Sequence, residues 1–389
     1  MSATFTIKNR FQRRDITYRD ILTPNILNDI CQKLTGQDQY EVIFDDTGYN
    51  KGRLVKLEFE GKIHYISVSE NEIRSRNSFF QSFPSALVQF YLDANPNKEL
   101  YFYFLAPDND NIETNYFVFM YRLMKTAGAI FMNEIEYLSQ VYQPFNTVFD
   151  LINSRDSNRR RNSGNASTYI SMNGNNTLQI FGKTYGANKY ETILLTLAIK
   201  NISPYAIELY EIQEGDLSIL PEPGRSILIQ LGVSVITSDT TLENQEFERD
   251  DSLRSPTYLY NLLEKLGEKK CALCNCEIPQ IIQGAHIWPV SDIKRNNTIS
   301  HEVKLSHALN KDNGIWLCNN HHKLFDIHFL IITEDGRVKY KSDMLPLYQE
   351  YLHNITPNTC IPHQIMNDHF VSYLSKRNSQ LRLNEYNLI

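Results

Sequence analysis

The residues best suited to chemistry lie in the stretch DNGIWLCNNHHKLFDIH, residues 312–328. A cysteine is followed three positions later by two adjacent histidines, and an aspartate stands four residues after the second histidine. Neighbouring residues on a helix point about 100° apart, so His321 and His322 are poorly placed to bind one metal ion. The spacing therefore predicts that the two histidines serve different metals.

Four side chains have the spacing of a zinc site. Cys271 and Cys274 form a C-x2-C knuckle, and a C-x2-H knuckle, Cys318 with His321, begins 44 positions beyond Cys274. Thiolate and imidazole ligands suit tetrahedral zinc, whereas three cysteines crowded into CALCNC are a poor layout for disulfides. We therefore predict a structural Zn²⁺ held by these four residues. Cys276 is a spare thiol that could take the place of Cys274.

Two further residues with catalytic potential stand before His322. His286 lies in GAHIWP, between the knuckles, and Asn313 stands nine positions before His322. In order and spacing, these residues and the two knuckles resemble the HNH endonuclease module of the ββα-metal type, over residues 269–337. The resemblance implies a zinc-stapled ββα fold that hydrolyses phosphodiesters with a metal ion.

The resemblance also implies a role for each catalytic residue. His286 would be the general base, Asn313 would hold the loop that carries the base, and His322 would bind the catalytic ion. A phosphodiester is a poor electrophile, so its hydrolysis needs an activated water and neutralisation of charge in the transition state. A neutral imidazole is available near pH 7 because its ordinary pKa is about 6.5.

The catalytic metal site departs from the family pattern at one position. His322 and Asp326 stand four residues apart, on one face of a helix, and can bind the same ion, for which we expect Mg²⁺ or Mn²⁺. Many family members carry a metal ligand just before the base, where this chain has Ala285. We expect Asp326 to compensate, and Asp312 and His328 stay open as further ligands.

Two groups of basic residues are candidates for contact with DNA phosphates. One lies in the polar segment SRDSNRRRNSGNAS, residues 154–167, which is either a solvated linker or a flexible arm that orders against phosphates. The other lies around the metal motif. The residues that we predict to bind DNA are Arg155, Arg159, Arg160, Arg161, Lys294, Arg295 and Lys323.

Length, charge and composition restrict the class of protein. The chain has 389 residues, enough for two or three domains, and a net charge of −6, which excludes a polycation that binds nucleic acid by bulk attraction. No run approaches the roughly 20 apolar residues of a membrane-spanning helix. The N-terminal MSATFTIKNRFQRRD lacks the apolar stretch of a secretory signal. We expect a soluble cytoplasmic protein.

The pattern of elements predicts an α+β, multidomain chain. Residues 1–150 favour an α+β domain for DNA recognition or dimerisation, with a helix in LTPNILNDICQKLTG and a hairpin of RLVKLEFE and IHYISVS. Residues 151–255 hold the basic arm, a middle α/β segment with LQIFGKTYGANKYETILLTLAIKNI, and the acidic linker SDTTLENQEFERDDSLRSP. Residues 256–389 form the nuclease domain with a C-terminal helical extension.

A second nuclease motif competes with the first. Asp45, Asp46 and the Glu60–Lys62 triplet mimic the D…ExK pattern of another restriction fold. That motif needs its glutamate and lysine on a core strand, whereas Gly61 and Lys62 stand where the predicted hairpin turns. We favour a surface turn.

The large region in front of the nuclease module suggests site selection. We predict a type II restriction endonuclease that cuts double-stranded DNA as a homodimer, with a cognate DNA methyltransferase as functional partner. One alternative is an HNH nuclease of modified-DNA-dependent restriction or phage defence. Another is a zinc-containing DNA-binding protein without catalysis, for which His286, Asn313 and His322 would have no use.

Overall fold

The computed structural model shows two compact units. It describes residues 2–9, 21–45, 53–69, 83–105, 115–133, 136–161, 168–172, 176–183, 188–212, 220, 222–238, 247 and 255–389. The first unit comprises Met1–Thr168, Gly182–Leu209 and Glu214–Val235; the second comprises Tyr169–Phe181, Tyr210–Gln213 and Ile236–Ile389. Residues of the predicted middle region, 151–255, occur in both units, and most of the predicted acidic linker lies outside the described residues.

A six-stranded mixed sheet forms the centre of the first unit. Its strands are β1 (Ala3–Asn9), β2 (Tyr40–Phe44), β3 (Arg53–Phe59), β4 (Lys62–Val68), β5 (Lys98–Tyr103) and β6 (Ile130–Phe131). The order is β2-β1-β3-β4-β5-β6, with β1 parallel to β2, the β1-β3-β4 neighbours antiparallel, and β4, β5 and β6 parallel. The helices are α1 (Pro24–Thr35), α2 (Phe83–Leu92), α3 (Asn115–Thr126), α4 (Glu136–Val141) and α5 (Val148–Arg161). The predicted α+β class is confirmed.

The predicted hairpin joins β3 to β4. The two loop residues, Glu60 and Gly61, have φ of 48° and 77°, and two positive values in a two-residue loop indicate a type I′ turn. Lys62 begins β4. The competing motif therefore has its glutamate on a turn and not on a core strand, and Asp46 of that motif lies outside the described residues.

The polar segment that begins at residue 154 is helical in its first half, because α5 extends to Arg161. Arg155 is 5% exposed, with its guanidinium 3.0 Å from the Glu191 carboxylate and over the Phe119 ring. A buried charge needs such a partner. This burial differs from the exposed phosphate contact predicted for Arg155. The side chains of Arg159, Arg160 and Arg161 lie outside the described residues, as do residues 162–167.

Four further strands pair in the order β10-β9-β8-β7. They are β7 (Thr168–Met172), β8 (Thr177–Lys183), β9 (Ala206–Ile212) and β10 (Ser234–Ser238), and the helices in this part of the chain are α6 (Asn188–Ile202) and α7 (Glu222–Gln230). The predicted strand and helix of LQIFGKTYGANKYETILLTLAIKNI correspond to β8 and α6. Leu194 and Leu197 of α6 are fully buried, so this helix belongs to a core.

Most of the second unit is the continuous segment 255–389. Its elements are α8 (Pro256–Leu266), β11 (Ile282–His286), α9 (Val290–Arg295), α10 (His301–Leu309), β12 (Gly314–Cys318), α11 (Asn319–Asp326), β13 (Leu330–Ile332), β14 (Val338–Lys341), α12 (Pro346–Ile355), α13 (Asp368–Asn378) and β15 (Tyr386–Leu388). β11 and β12 are antiparallel, and β13, β14 and β15 form a separate antiparallel sheet. The β11–β12 pair and α11 constitute a ββα unit, and α12 and α13 lie where the sequence predicts a helical extension.

None of the helices in the described ranges is long and apolar enough to cross a membrane. Even α6 has only 15 residues, whereas a bilayer needs about 20.

Candidate active site and metal cluster

The four predicted zinc ligands come together in the second unit: Cys271, Cys274, Cys318 and His321. Their donor atoms all lie within 4.8 Å of one another. The Cys318 sulfur is 3.2 Å from Nδ1 of His321 and 3.9 Å from the Cys274 sulfur. Ligands of a tetrahedral zinc ion stand about 3.5–3.8 Å apart, so the cluster has the size and the donor types for a structural zinc. Cys276 is not among these ligands.

The His321 imidazole is held from both sides. Its Nδ1 faces the thiols, and its Nε2–H donates to the Thr356 hydroxyl at 3.1 Å. A hydrogen bond of this kind fixes the tautomer and orientation of a metal-binding histidine. Thr356 follows α12, far from either knuckle in sequence, and no spacing rule indicates it.

The Cys274 thiol of the cluster holds its proton strongly. Burial, together with the neighbouring Cys271 and Cys318 thiols, raises the pKa of the Cys274 thiol to about 12. Because only the thiolate is a good ligand, cation binding must displace this proton. The affinity of the cluster for zinc should therefore decrease as pH falls.

Asn313 joins the β11–β12 pair to the loop that follows His286. Its side-chain oxygen accepts from the Trp288 amide at 2.7 Å, and its Nδ2 donates to the carbonyls of Trp288 and His307, each at 3.1 Å. Its backbone carbonyl accepts from the Ile287 amide at 3.1 Å. Asn313 is fully buried, so these bonds fix the backbone on the C-terminal side of His286.

His286 is the last residue of β11, and its ring has one defined hydrogen bond. Nε2–H donates to the Ala308 carbonyl at 2.9 Å, and since a carbonyl can only accept, Nδ1 is the basic nitrogen. Burial lowers the pKa of His286 to about 4; the Ala308 bond opposes this shift, and nearby His322 adds to it. The imidazole is therefore neutral at pH 7 and can accept a proton at Nδ1.

His322 is not part of the thiol cluster, because its side chain leaves α11 about 100° around the helix from that of His321. Its Nε2 is 3.5 Å from a carboxylate oxygen of Asp326, and its Nδ1–H donates to the Gln283 side-chain oxygen at 3.0 Å. Cis ligands of a six-coordinate Mg²⁺ stand about 3 Å apart, so one ion can bridge the histidine and the aspartate. Gln283 orients the ring; its position on β11, three residues before His286, is the only sequence signal for it.

A family model of HNH endonucleases matches residues 271–333. The second unit contains an HNH endonuclease domain. The matched segment spans both knuckles, the β11–β12 pair, α11 and β13. The domain indicates a nuclease, a hydrolase of DNA that uses divalent metal ions. None of the curated proteins matches the chain.

Helix α13 lies beyond the matched segment and fastens together two parts of the HNH domain. Arg377 is 2% exposed and donates to the Ile287 carbonyl at 3.1 Å and to the Phe325 carbonyl, with its guanidinium over the Phe325 ring. Burial lowers the pKa of Arg377 to about 10, so it stays charged. Ile287 follows His286 and Phe325 precedes Asp326. Arg377 therefore ties the residue after His286 to the helix that carries His322 and Asp326.

The other candidate ligands of the HNH domain have different surroundings. Asp312 is buried, 2.8 Å from the Lys265 ammonium, and accepts from the Asn367 amide at 2.8 Å. His328 has a left-handed φ of 58°, and burial lowers its pKa. In the described part of the chain, the cysteine–histidine cluster is the only group of three or more potential ligands so close together. A catalytic ion would thus rely on two protein ligands, His322 and Asp326.

The basic residues predicted to meet DNA near the metal motif are placed in two ways. Arg295, at the end of α9, is largely exposed, although 3.7 Å from Asp292, and Lys323 is exposed on α11. Lys294 is half-buried, with its ammonium 5.2 Å from the centre of the Phe247 ring. Arg295 and Lys323 are therefore the more accessible to a phosphate.

Proposed function

We propose that this protein is a sequence-specific endonuclease of double-stranded DNA that acts as a type II restriction enzyme. The observation that supports it is the state of His286, a neutral imidazole with its proton on Nε2, bonded to Ala308, and with His322 close enough to lower its pKa. A neutral base beside a cation site can activate water and neutralise charge during phosphodiester hydrolysis.

In the proposed reaction, His286 accepts a proton at Nδ1 from the attacking water. The water oxygen forms a bond to phosphorus as the bond from phosphorus to the leaving oxygen breaks. Asn313 keeps the base in place through its bonds to the Trp288 backbone. A Mg²⁺ or Mn²⁺ ion held by His322 and Asp326 would supply neutralisation of charge on the phosphate and the leaving oxygen.

Basic side chains would hold the DNA in register without reading its sequence. Within the HNH domain, we assign this role to Lys294, Arg295 and Lys323. In the first unit, we retain Arg159, Arg160 and Arg161 and omit Arg155, because its guanidinium is paired with Glu191.

Target selection and assembly complete the proposal. An HNH domain needs few residues, so we assign recognition of the DNA site to the first unit. A homodimer would match a palindromic site by its two-fold symmetry and would cut both strands. A cognate DNA methyltransferase that modifies the same site would protect the DNA of the cell.

The test is digestion of DNA by the purified full chain. Methylated and unmethylated substrates are incubated with Mg²⁺ or Mn²⁺, and the fragment ends are sequenced. We expect discrete fragments with one common sequence at their ends, and we expect His286→Ala to abolish cleavage while DNA binding and zinc content stay unchanged.

Three results would contradict the proposal. Fragments with random ends would reject sequence specificity, and cleavage of methylated DNA alone would favour modified-DNA-dependent restriction. Cleavage by His286→Ala at the wild-type rate would reject His286 as the base.

A further inference from the structure

Helix α8 precedes the residues matched by the HNH family, yet it packs on the strands that carry the base. Its Tyr258 is 1% exposed, and its ring stacks on the His286 imidazole, with ring centres 4.1 Å apart and planes inclined by 10°. In this geometry one whole face of the imidazole lies against an aromatic ring. The contact joins a residue outside the matched segment to the proposed general base.

Glycines on both strands make room for this helix. A Cβ atom on Gly314 would lie 2.4 Å from the Tyr258 hydroxyl oxygen and 2.4 Å from Leu262, and one on Gly284 would lie 2.5 Å from Leu262. Such distances are far inside van der Waals contact, so any larger residue would push α8 away. The absence of side chains at these two positions brings Tyr258 up to the base.

Tyr258 is itself held at both ends. Its amide donates to the hydroxyl of Ser255, the N-cap of α8, at 3.3 Å, and its own hydroxyl donates to the Asn313 carbonyl at 3.4 Å. Burial raises the pKa of the Tyr258 hydroxyl far above its ordinary value, so the group remains an uncharged donor. The ring is therefore a fixed surface and not a mobile neighbour of His286.

We propose that Tyr258 is a positioning residue for the general base, an inference that rests on the proposed nuclease function. The outer torsion of a histidine side chain has broad minima, and the single bond to Ala308 leaves the ring free to tilt. The Tyr258 ring blocks this tilt on one face, so that Nδ1 keeps its direction towards the attacking water. Since small misplacements of a catalytic group cost large factors in rate, loss of the ring lowers turnover without weakening DNA binding.

The test compares variants of the full, zinc-loaded chain on one DNA substrate. Tyr258→Met keeps a long apolar side chain without a ring, and kcat should fall about tenfold to a hundredfold at unchanged KM. Tyr258→Phe keeps the ring without the hydroxyl, and kcat should return to within about threefold of the wild-type value. Leu262→Ala is the matched control, because Leu262 packs on the same glycines but has no ring to stack on His286; it should lower the melting temperature and retain kcat.

Several outcomes would overturn the role of Tyr258. One is a wild-type kcat in Tyr258→Met, and another is an equal loss in the Phe and Met variants, which would assign the effect to the hydroxyl. A loss in Leu262→Ala as large as in Tyr258→Met would make Tyr258 a packing residue only. If Tyr258→Met loses zinc and unfolds, Tyr258→Phe alone tests the proposal. A kcat of Tyr258→Phe as low as that of His286→Ala would refute it.

These outcomes leave the proposed function standing as long as the wild-type protein cuts DNA and His286→Ala does not. Absence of cleavage by the wild-type protein would instead overturn the proposed function, and the role of Tyr258 with it.

Discussion

The two candidate metal sites of the HNH domain use the adjacent residues His321 and His322, yet they differ in burial, donor type and number of donors. His321 is 1% exposed and faces three thiols, whereas the His322 side chain is 23% exposed and faces one carboxylate. The first arrangement supplies a complete tetrahedral set of donors. The second offers two donors, so that an ion bound there would have most of its coordination sphere free for phosphate and water. A cation that stabilises the fold is best held by protein ligands alone, whereas a cation that must bind a substrate needs free coordination positions.

The geometry of α11 explains how neighbours can differ so much. Successive side chains leave a helix about 100° apart, so His321 turns towards the knuckles while His322 turns towards Gln283 of β11. Phe325, the third residue after His322, is fully buried and anchors the helix in the hydrophobic core. One short helix thereby carries residues of two candidate sites that share no ligand.

The largest effect should follow from removing a ligand of the cysteine–histidine cluster. Cys318→Ser should lose zinc and unfold the second unit, because zinc binding of about 10–16 kcal/mol is coupled to folding in small zinc domains. Metal analysis and a thermal melt measure both effects. Cys360→Ser, at an exposed cysteine, is the matched control, and Cys276→Ser tests the spare thiol. A Cys318→Ser protein with full zinc content and an unchanged melting profile would refute the cluster.

The next largest effect should be on the cleavage rate and not on folding. It should follow from removing a ligand of the His322–Asp326 pair. His322→Ala should lower the cleavage rate by about a thousandfold or more, since the catalytic ion loses one of two protein ligands. Zinc content and melting temperature should stay at wild-type values. His363→Ala, at an exposed histidine, serves as control. Loss of zinc from His322→Ala would show that the two sites are not separate.

A moderate effect should follow from removing the hydrogen bond that orients His321. Thr356→Val keeps the shape of the side chain but offers no acceptor to Nε2–H, and loss of such a partner typically weakens metal binding about tenfold to a hundredfold. Competition with a chelator measures the affinity. Thr356→Ser, which keeps the hydroxyl, should bind zinc nearly as well as the wild type, and equal affinity in the Val and Ser variants would dismiss the role of this bond.

The smallest effect concerns acid stability. The pKa of His286 is about 4 in the folded protein and about 6.5 in an unfolded chain, so the unfolded state binds more protons between these values. The contribution of His286 to stability is complete above about pH 6.5 and is lost as pH falls towards 4. The urea midpoint should therefore drop less between pH 7 and pH 5 in His286→Gln than in the wild type. Identical drops would exclude His286 as the source.

The sequence predicts well those parts of the site that depend on local spacing. Both knuckles, and the pairing of His322 with Asp326, follow from the positions of a few neighbouring residues. The hairpin at Glu60 and Gly61 is equally local. Such features need no knowledge of the rest of the fold, because the backbone geometry of a turn or helix determines which side chains meet.

Long-range partners could not be predicted in this way. Thr356 stands 35 positions from His321, and Arg377 reaches a carbonyl 90 positions away. The sequence places Arg155 in an exposed polar arm and assigns no role to Glu191. In the structure, Arg155 is buried and Glu191 neutralises its charge. These contacts depend on how helices and strands pack, and residue type alone carries no signal of that packing.

The two hydrogen bonds from Arg377 have a consequence for how the HNH domain forms during synthesis of the chain. Translation releases His286, His322 and Asp326 well before the guanidinium that bridges the carbonyls of Ile287 and Phe325. Until α13 leaves the ribosome and docks, Arg377 cannot hold the residue after His286 close to the helix of His322 and Asp326. The proposed nuclease site is therefore held in its final arrangement only after α13 has been synthesised and has packed.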